Sequence, residues 1–147
     1  GLNLFVGGSQ ILQPAHGAPE EDKLQGTGGV TYDLGPVSIG TQISGVFTGE
    51  TEAIDFNGYK AVHFGIAFNV SDNLSLSYGE VESRQETYTQ SNATHSARTI
   101  NVESVQAAYT MGGATLRIAE IDVSNQSYAT AATSQLDATV ISLGLAF

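Results

Sequence analysis

The last eleven residues, Asp137 to Phe147, read DATVISLGLAF and put Thr139, Ile141, Leu143, Leu145 and Phe147 at every second position, opposite Ala138, Val140, Ser142, Gly144 and Ala146. Successive side chains of a β-strand leave on opposite faces, so the segment has one apolar face ending on a large aromatic and one face of small residues. A helix would scatter the same side chains around its circumference. An apolar face of this kind is covered either by a second layer of protein or by lipid.

Composition bears on the choice. The 147 residues suffice for one domain and include 17 Gly, 6 Tyr and 6 Phe but neither Trp nor Cys. No stretch approaches the roughly 18 to 20 consecutive apolar residues of a membrane helix, so any membrane here is crossed by strands, whose alternation leaves mean hydropathy near zero. The lack of cysteine fits an oxidising envelope compartment and many other places equally. A formal charge of −10 with five basic residues argues against nucleic acid as a partner. The chain opens at Gly1 without a charged and apolar leader, which implies a signal segment already removed or lying upstream.

Eight segments read as strands: Leu2 to Ser9, Gly28 to Leu34, Val37 to Thr48, Tyr59 to Val70, Leu74 to Arg84, Arg98 to Met111, Ala114 to Ser124 and Gln135 to Phe147. Their connections alternate in length. Short turns fall at 35–36, 71–73 and 112–113, built from Gly, Pro, Ser, Asp and Asn. Long polar stretches fall near 10–27, 49–58, 85–97 and 125–134. Tight turns on one side and long loops on the other are the asymmetry of an antiparallel up-and-down transmembrane β-barrel, with the short turns periplasmic and the long loops extracellular. An even strand count returns both ends to the same side.

Three segments alternate cleanly, for instance Val62, Phe64, Ile66, Phe68 and Val70 against His63, Gly65, Ala67 and Asn69. Three others exchange phase: Leu74, Leu76 and Tyr78 give way to Val81, Ile100 and Val102 to Val105, and Leu116 and Ile118 to Ile121 and Val123. A β-bulge in each would restore one apolar face; otherwise Glu80, Glu82, Glu120 and Asp122 share the face of the leucines. Bulges, or protein covering that face, are the expected resolution. An outer girdle of Tyr32, Phe68, Tyr78, Tyr109 and Phe147 is expected at the short-turn side.

The hairpins GGVTYDLGPVSIGTQISGVF, VHFGIAFNVSDNLSLSYGEVES and VQAAYTMGGATLRIAEIDVSNQ, followed by the closing LDATVISLGLAF, resemble the C-terminal half of general diffusion porins from alphaproteobacteria. The resemblance implies an outer-membrane barrel of 16 strands in a Gram-negative bacterium, half of it present here. It implies a homotrimer surrounded by lipid and lipopolysaccharide, whose water-filled bore passes small hydrophilic solutes and ions by passive diffusion. It also makes Ile141, Leu143, Leu145 and Phe147 the C-terminal assembly signal. The family's constriction loop belongs to the other half. An alternative is a complete eight-stranded barrel acting as an adhesin through loops that carry Tyr88 and Tyr128, and a soluble β-sandwich is a third. The inner face, rich in Ser, Gly and Ala, suits a wide bore, since a narrow barrel is filled by its side chains.

Pore-lining candidates are Lys60, Arg98, Glu103, Gln42 and above all Arg117, which Leu116 and Ile118 flank on the opposite face. The acidic excess predicts weak cation preference. Glu20, Glu21 and Asp22 are a weak calcium candidate, calcium being held by several oxygens; no other cofactor is expected. His16, His63 and His95 lack metal-ligand spacing, and there is no nucleophile elbow, so no enzyme activity is expected.

Overall fold

The computed structural model describes residues 1–12, 22–49, 57–86, 97–129 and 134–146. Eight strands form one antiparallel sheet in sequence order: β1 (Leu2–Ile11), β2 (Lys23–Leu34), β3 (Val37–Phe47), β4 (Gly58–Asn69), β5 (Leu74–Glu86), β6 (Ala97–Met111), β7 (Ala114–Ser124) and β8 (Leu136–Leu145). The up-and-down order is the one expected, and the sheet is not closed: β1 pairs only with β2 and β8 only with β7.

The short turns are built as their residues dictate. Gly35 and Gly112 adopt positive φ of 60° and 59°, which a residue without Cβ reaches at no steric cost. Between β4 and β5 the Ser71 hydroxyl accepts from the amides of Asn73 and Leu74 at 3.3 and 3.1 Å, closing a serine turn. At the other end Asn57, 1% exposed, ties three strands together: its carbonyl accepts from Thr48 N at 2.8 Å and its amide donates to Glu86 O at 3.1 Å.

All seven pairings run without interruption, so β5, β6 and β7 contain no bulge. The expectation of bulges is therefore corrected: directly opposed residues share a face, Glu80, Glu82, Glu120 and Asp122 stand on the face of the leucines, and the exchange of phase in the sequence is an exchange of polarity on the folded sheet. One face carries Leu4, Val30, Ile39, Phe64, Ile66, Leu76, Tyr109, Leu116, Ile141 and Leu143 toward the short turns, and on β5–β8 it continues into acids. Glu80 opposes Glu103, Glu103 opposes Asp122, and Asp122 opposes Asp137. Behind that acidic row, on the other face, Val81 opposes Val102, Val102 opposes Val123, and Val123 opposes Leu136.

The second face is the concave one. Residues from β1 through β5 line a single trough on it, and its side chains along β3 and β4 are half-buried where most of those behind them are exposed. Among the described residues no hydrophobic side chain is buried and none forms a second layer over the convex face: Ile141, Leu143 and Leu145 stand 67%, 65% and 63% exposed.

The strands are staggered. The row Leu4, Val30, Thr41, Phe64, Glu80, Glu103, Asp122, Asp137 starts two residues from the short-turn end of β1 and finishes eight residues from that end of β8. The shift is six residues over seven strand steps, and with ~3.3 Å rise and ~4.8 Å spacing it inclines the strands by about 30° to the line of turns.

Candidate functional site

Among the described residues the concave face carries a continuous run of polar side chains over β1–β5. Its floor near the short turns is a trough of about 520 Å³ lined by Thr31, Asp33, Ser38, Gln42, His63 and Ser77, among others. These positions alternate with the apolar residues of the convex face, so their polarity follows directly from the two-residue period. Neighbouring strands hydrogen-bond across the wall: Ser38 Oγ donates to Asp33 Oδ1 at 2.6 Å, Asn3 Nδ2 to Thr31 Oγ1 at 3.4 Å and Gln42 Nε2 to Thr27 Oγ1 at 3.1 Å. A second trough of about 410 Å³ continues toward the long-loop end along Ser9, Gln25, Thr27, Gln42 and Ser44. Glycines keep the wall thin. A Cβ on Gly29 would lie 2.5 Å from Phe5 Cζ, so the Phe5 ring lies over the space that glycine leaves.

The pore-lining candidates divide between the faces. Gln42, Arg98 and Arg117 are concave: Gln42 opposes His63, Arg98 opposes Gln85, and Arg117 lies between Ala108 and Ser142. Lys60 and Glu103 are on the convex face, Lys60 opposite Gly45 and Arg84, and Glu103 in the acidic row. His63 is concave. Tyr32, Phe68, Tyr78 and Tyr109 are convex and toward the short-turn end. Phe147, Glu20, Glu21, His16, His95 and Tyr88 lie outside the described residues. Asp22 accepts from Gln10 Nε2 at 2.6 Å, and no group of three or more potential metal ligands occurs among the described residues.

Charge is sorted by face. Described strand residues on the concave side carry Lys23, Arg98 and Arg117 against Asp33 alone. The convex side carries Glu80, Glu82, Glu86, Glu103, Glu120, Asp122 and Asp137 against Lys60 and Arg84, the last paired with Glu86. The acidic excess of the chain therefore does not extend to the described strand residues of its concave face.

One feature of the wall was not legible in the spacing. After β7 the chain turns onto the concave side through a single 3₁₀ turn, Gln126–Tyr128, which lies against β6. Tyr128 crosses β6 to reach the two strands beyond it, its hydroxyl 2.7 Å from Ser83 Oγ on β5 and its ring edge-on to Tyr59 on β4. The available signal was the run Val81, Ile100, Val102, Ile121 and Val123, apolar at positions that the two-residue period turns to the concave face.

No protein-family model, curated protein or solved structure matches this chain.

Proposed function

We propose that this sheet is part of the wall of a transmembrane β-barrel, its convex face against lipid and its concave face lining a water-filled channel for small hydrophilic solutes and ions. The observation that carries the reading is the pairing of a bare apolar face with a polar concave one in a sheet without a buried hydrophobic residue among those described. Removing a Val, Leu, Ile or Phe side chain from water contributes about 1.5 to 3 kcal/mol. In water this sheet forgoes that gain on its whole convex side; in a bilayer it obtains it. A sandwich would have spent those side chains on a second layer.

The stagger is near the size of that in membrane barrels, about 30° against ~35 to 45°. It also places the acids. At ~3.3 Å per residue, inclined as above, the acidic row stands about 17 Å from the turns on β5 and about 23 Å from them on β8. An apolar band is about 25 Å tall, so Glu103, Asp122 and Asp137 come within about 3 Å of its outer edge, where charge costs little, while Glu80 stands inside it. Closure needs partners for both edges, since unpaired strand N–H and C=O groups are not tolerated in hydrocarbon. β1 and β8 run antiparallel to each other, so an even number of intervening strands, or none, closes the cylinder. The small residues Ser38, Gly40, Ser44, Gly65 and Ala67 favour a wide bore, because an eight-stranded barrel is filled by larger side chains. This is the architecture that the resemblance to alphaproteobacterial general porins implies, in the outer membrane of a Gram-negative bacterium, as a trimer among lipid and lipopolysaccharide.

Lys23 and Arg117 against Asp33 make the described strand residues of this wall net positive, which favours a weak anion preference over the weak cation preference that total charge implies. Planar-bilayer recording of the purified protein under a salt gradient tests both statements. Stepwise conductance with an anion-selective reversal potential is expected. The absence of any conductance contradicts the channel, and a cation-selective potential contradicts the wall.

A further inference from the structure

We infer that the segment Asn125–Ala129 is a size-selecting element of the channel's outer mouth, held inward by Tyr128 acting as a latch; the inference rests on the channel reading above. The segment follows β7 at the long-loop end of the sheet and lies on the concave side, where it takes up cross-section that solutes would otherwise use. Its contacts are long-range and specific. Besides Ser83, Tyr128 meets the Tyr59 ring with centroids 6.3 Å apart at 61°, and Gln85 Nε2 donates to the Tyr59 hydroxyl at 3.2 Å, fixing the receiving ring. Asn125 Nδ2 donates to Thr99 O at 3.1 Å, the Gln126 amide donates to Ser134 O at 2.7 Å, and Ser134 Oγ donates to Ala129 O at 3.2 Å.

Two further observations distinguish a latch from a chance resting place. Asn125, Ser127 and Tyr128 all have φ near +58°, a left-handed conformation that side chains with a Cβ avoid, so the inward path persists only while contacts hold it. Beneath it the concave wall is apolar: Ile100 and Val102 on β6, with Val81 and Val123 beside them, are half-buried, whereas polar residues line most of the wall elsewhere. The exchange of polarity in β5–β7 supplies an apolar seat at the place where the segment folds in. Released from Tyr59 and Ser83, the segment relaxes out of its left-handed path and the mouth widens.

The test is swelling of liposomes containing the full protein, with sugars of graded size, alongside hydrogen exchange of the Gln126 and Ala129 amides. Tyr128→Ala is expected to raise the rate for trisaccharide relative to monosaccharide. Loss of a hydrogen bond worth about 1.4 kcal/mol should also accelerate the two amides about tenfold. Ser83→Ala, which removes one hydroxyl and leaves the aromatic pair, is expected to shift both in the same direction by less, and it serves as the readout if the alanine variant of Tyr128 does not assemble. An unchanged sugar ratio with accelerated exchange overturns the size-selecting role while leaving the latch. Unchanged exchange overturns the latch itself. No uptake of any sugar by the wild-type protein overturns the channel reading and the selecting role together, with exchange still reporting on the latch.

Discussion

Adjacent residues on β8 have opposite duties, and a charge placed on each separates them. Ile141 lies four residues from the short-turn end of its strand, about 11 Å along the inclined sheet and close to the middle of an apolar band. On the proposed membrane-barrel reading, Ile141→Arg is expected to cost about 2 to 4 kcal/mol, and Ser142→Arg, one residue away on the concave face, less than about 1 kcal/mol. Urea titration of refolding into detergent or lipid reads both; equal costs would mean that the two faces see the same medium. Gly29 offers a second contrast. Its missing Cβ makes room for the Phe5 ring, and an added methyl would also come within 2.8 Å of Thr41 O. Gly29→Val should lower stability by about 1 to 3 kcal/mol through overpacking, whereas Gly26→Val, with nothing within 4 Å of its Cβ position, should not. The same urea midpoints decide it.

At the level of strands, the spacing of apolar residues was nearly sufficient. All eight strands and the three short turns stand where alternation and turn chemistry put them, with ends differing by a few residues, most at the start of β2, which reaches back to Lys23. Gly26 hid that extension, because strand propensity is poor there although the ladder to β1 and β3 continues through it. The exchange of phase in β5, β6 and β7 was visible; its resolution was not. A bulge keeps one face apolar on each strand taken singly, whereas the folded sheet keeps its ladders and turns acids out and valines in, a choice that depends on Tyr128 arriving from 45 residues beyond Ser83. The unbroken register sets like charges side by side across β5–β8. Directly opposed carboxylates repel by about 0.2 to 1 kcal/mol per pair, so Glu103→Gln, relieving contacts with both Glu80 and Asp122, should raise the denaturation midpoint at low salt and lose the advantage at high salt. A lowered midpoint would mean that the row is held by something it binds.

Across the whole molecule the governing fact is segregation. Apolar bulk and most strand carboxylates lie outside, while small polar side chains and a net positive set lie inside, so neither mean hydropathy nor total charge describes either face. This is why the inner wall could be located from the two-residue period alone, while its sign could not: the period places Arg117 inside from its neighbours, but the inward or outward sense of Glu103 and Lys60 depends on a register carried across several strands. The central claim is that the convex side meets acyl chains and the concave side meets water. The chain has no cysteine, so single cysteines can be placed at will. With Val140, Ile141, Ser142, Leu143 and Gly144 each replaced in turn by Cys in the membrane-reconstituted protein, a polar maleimide is expected to label positions 140, 142 and 144 and to spare 141 and 143. Uniform labelling, or labelling at 141 and 143 with protection at 142, would contradict the account.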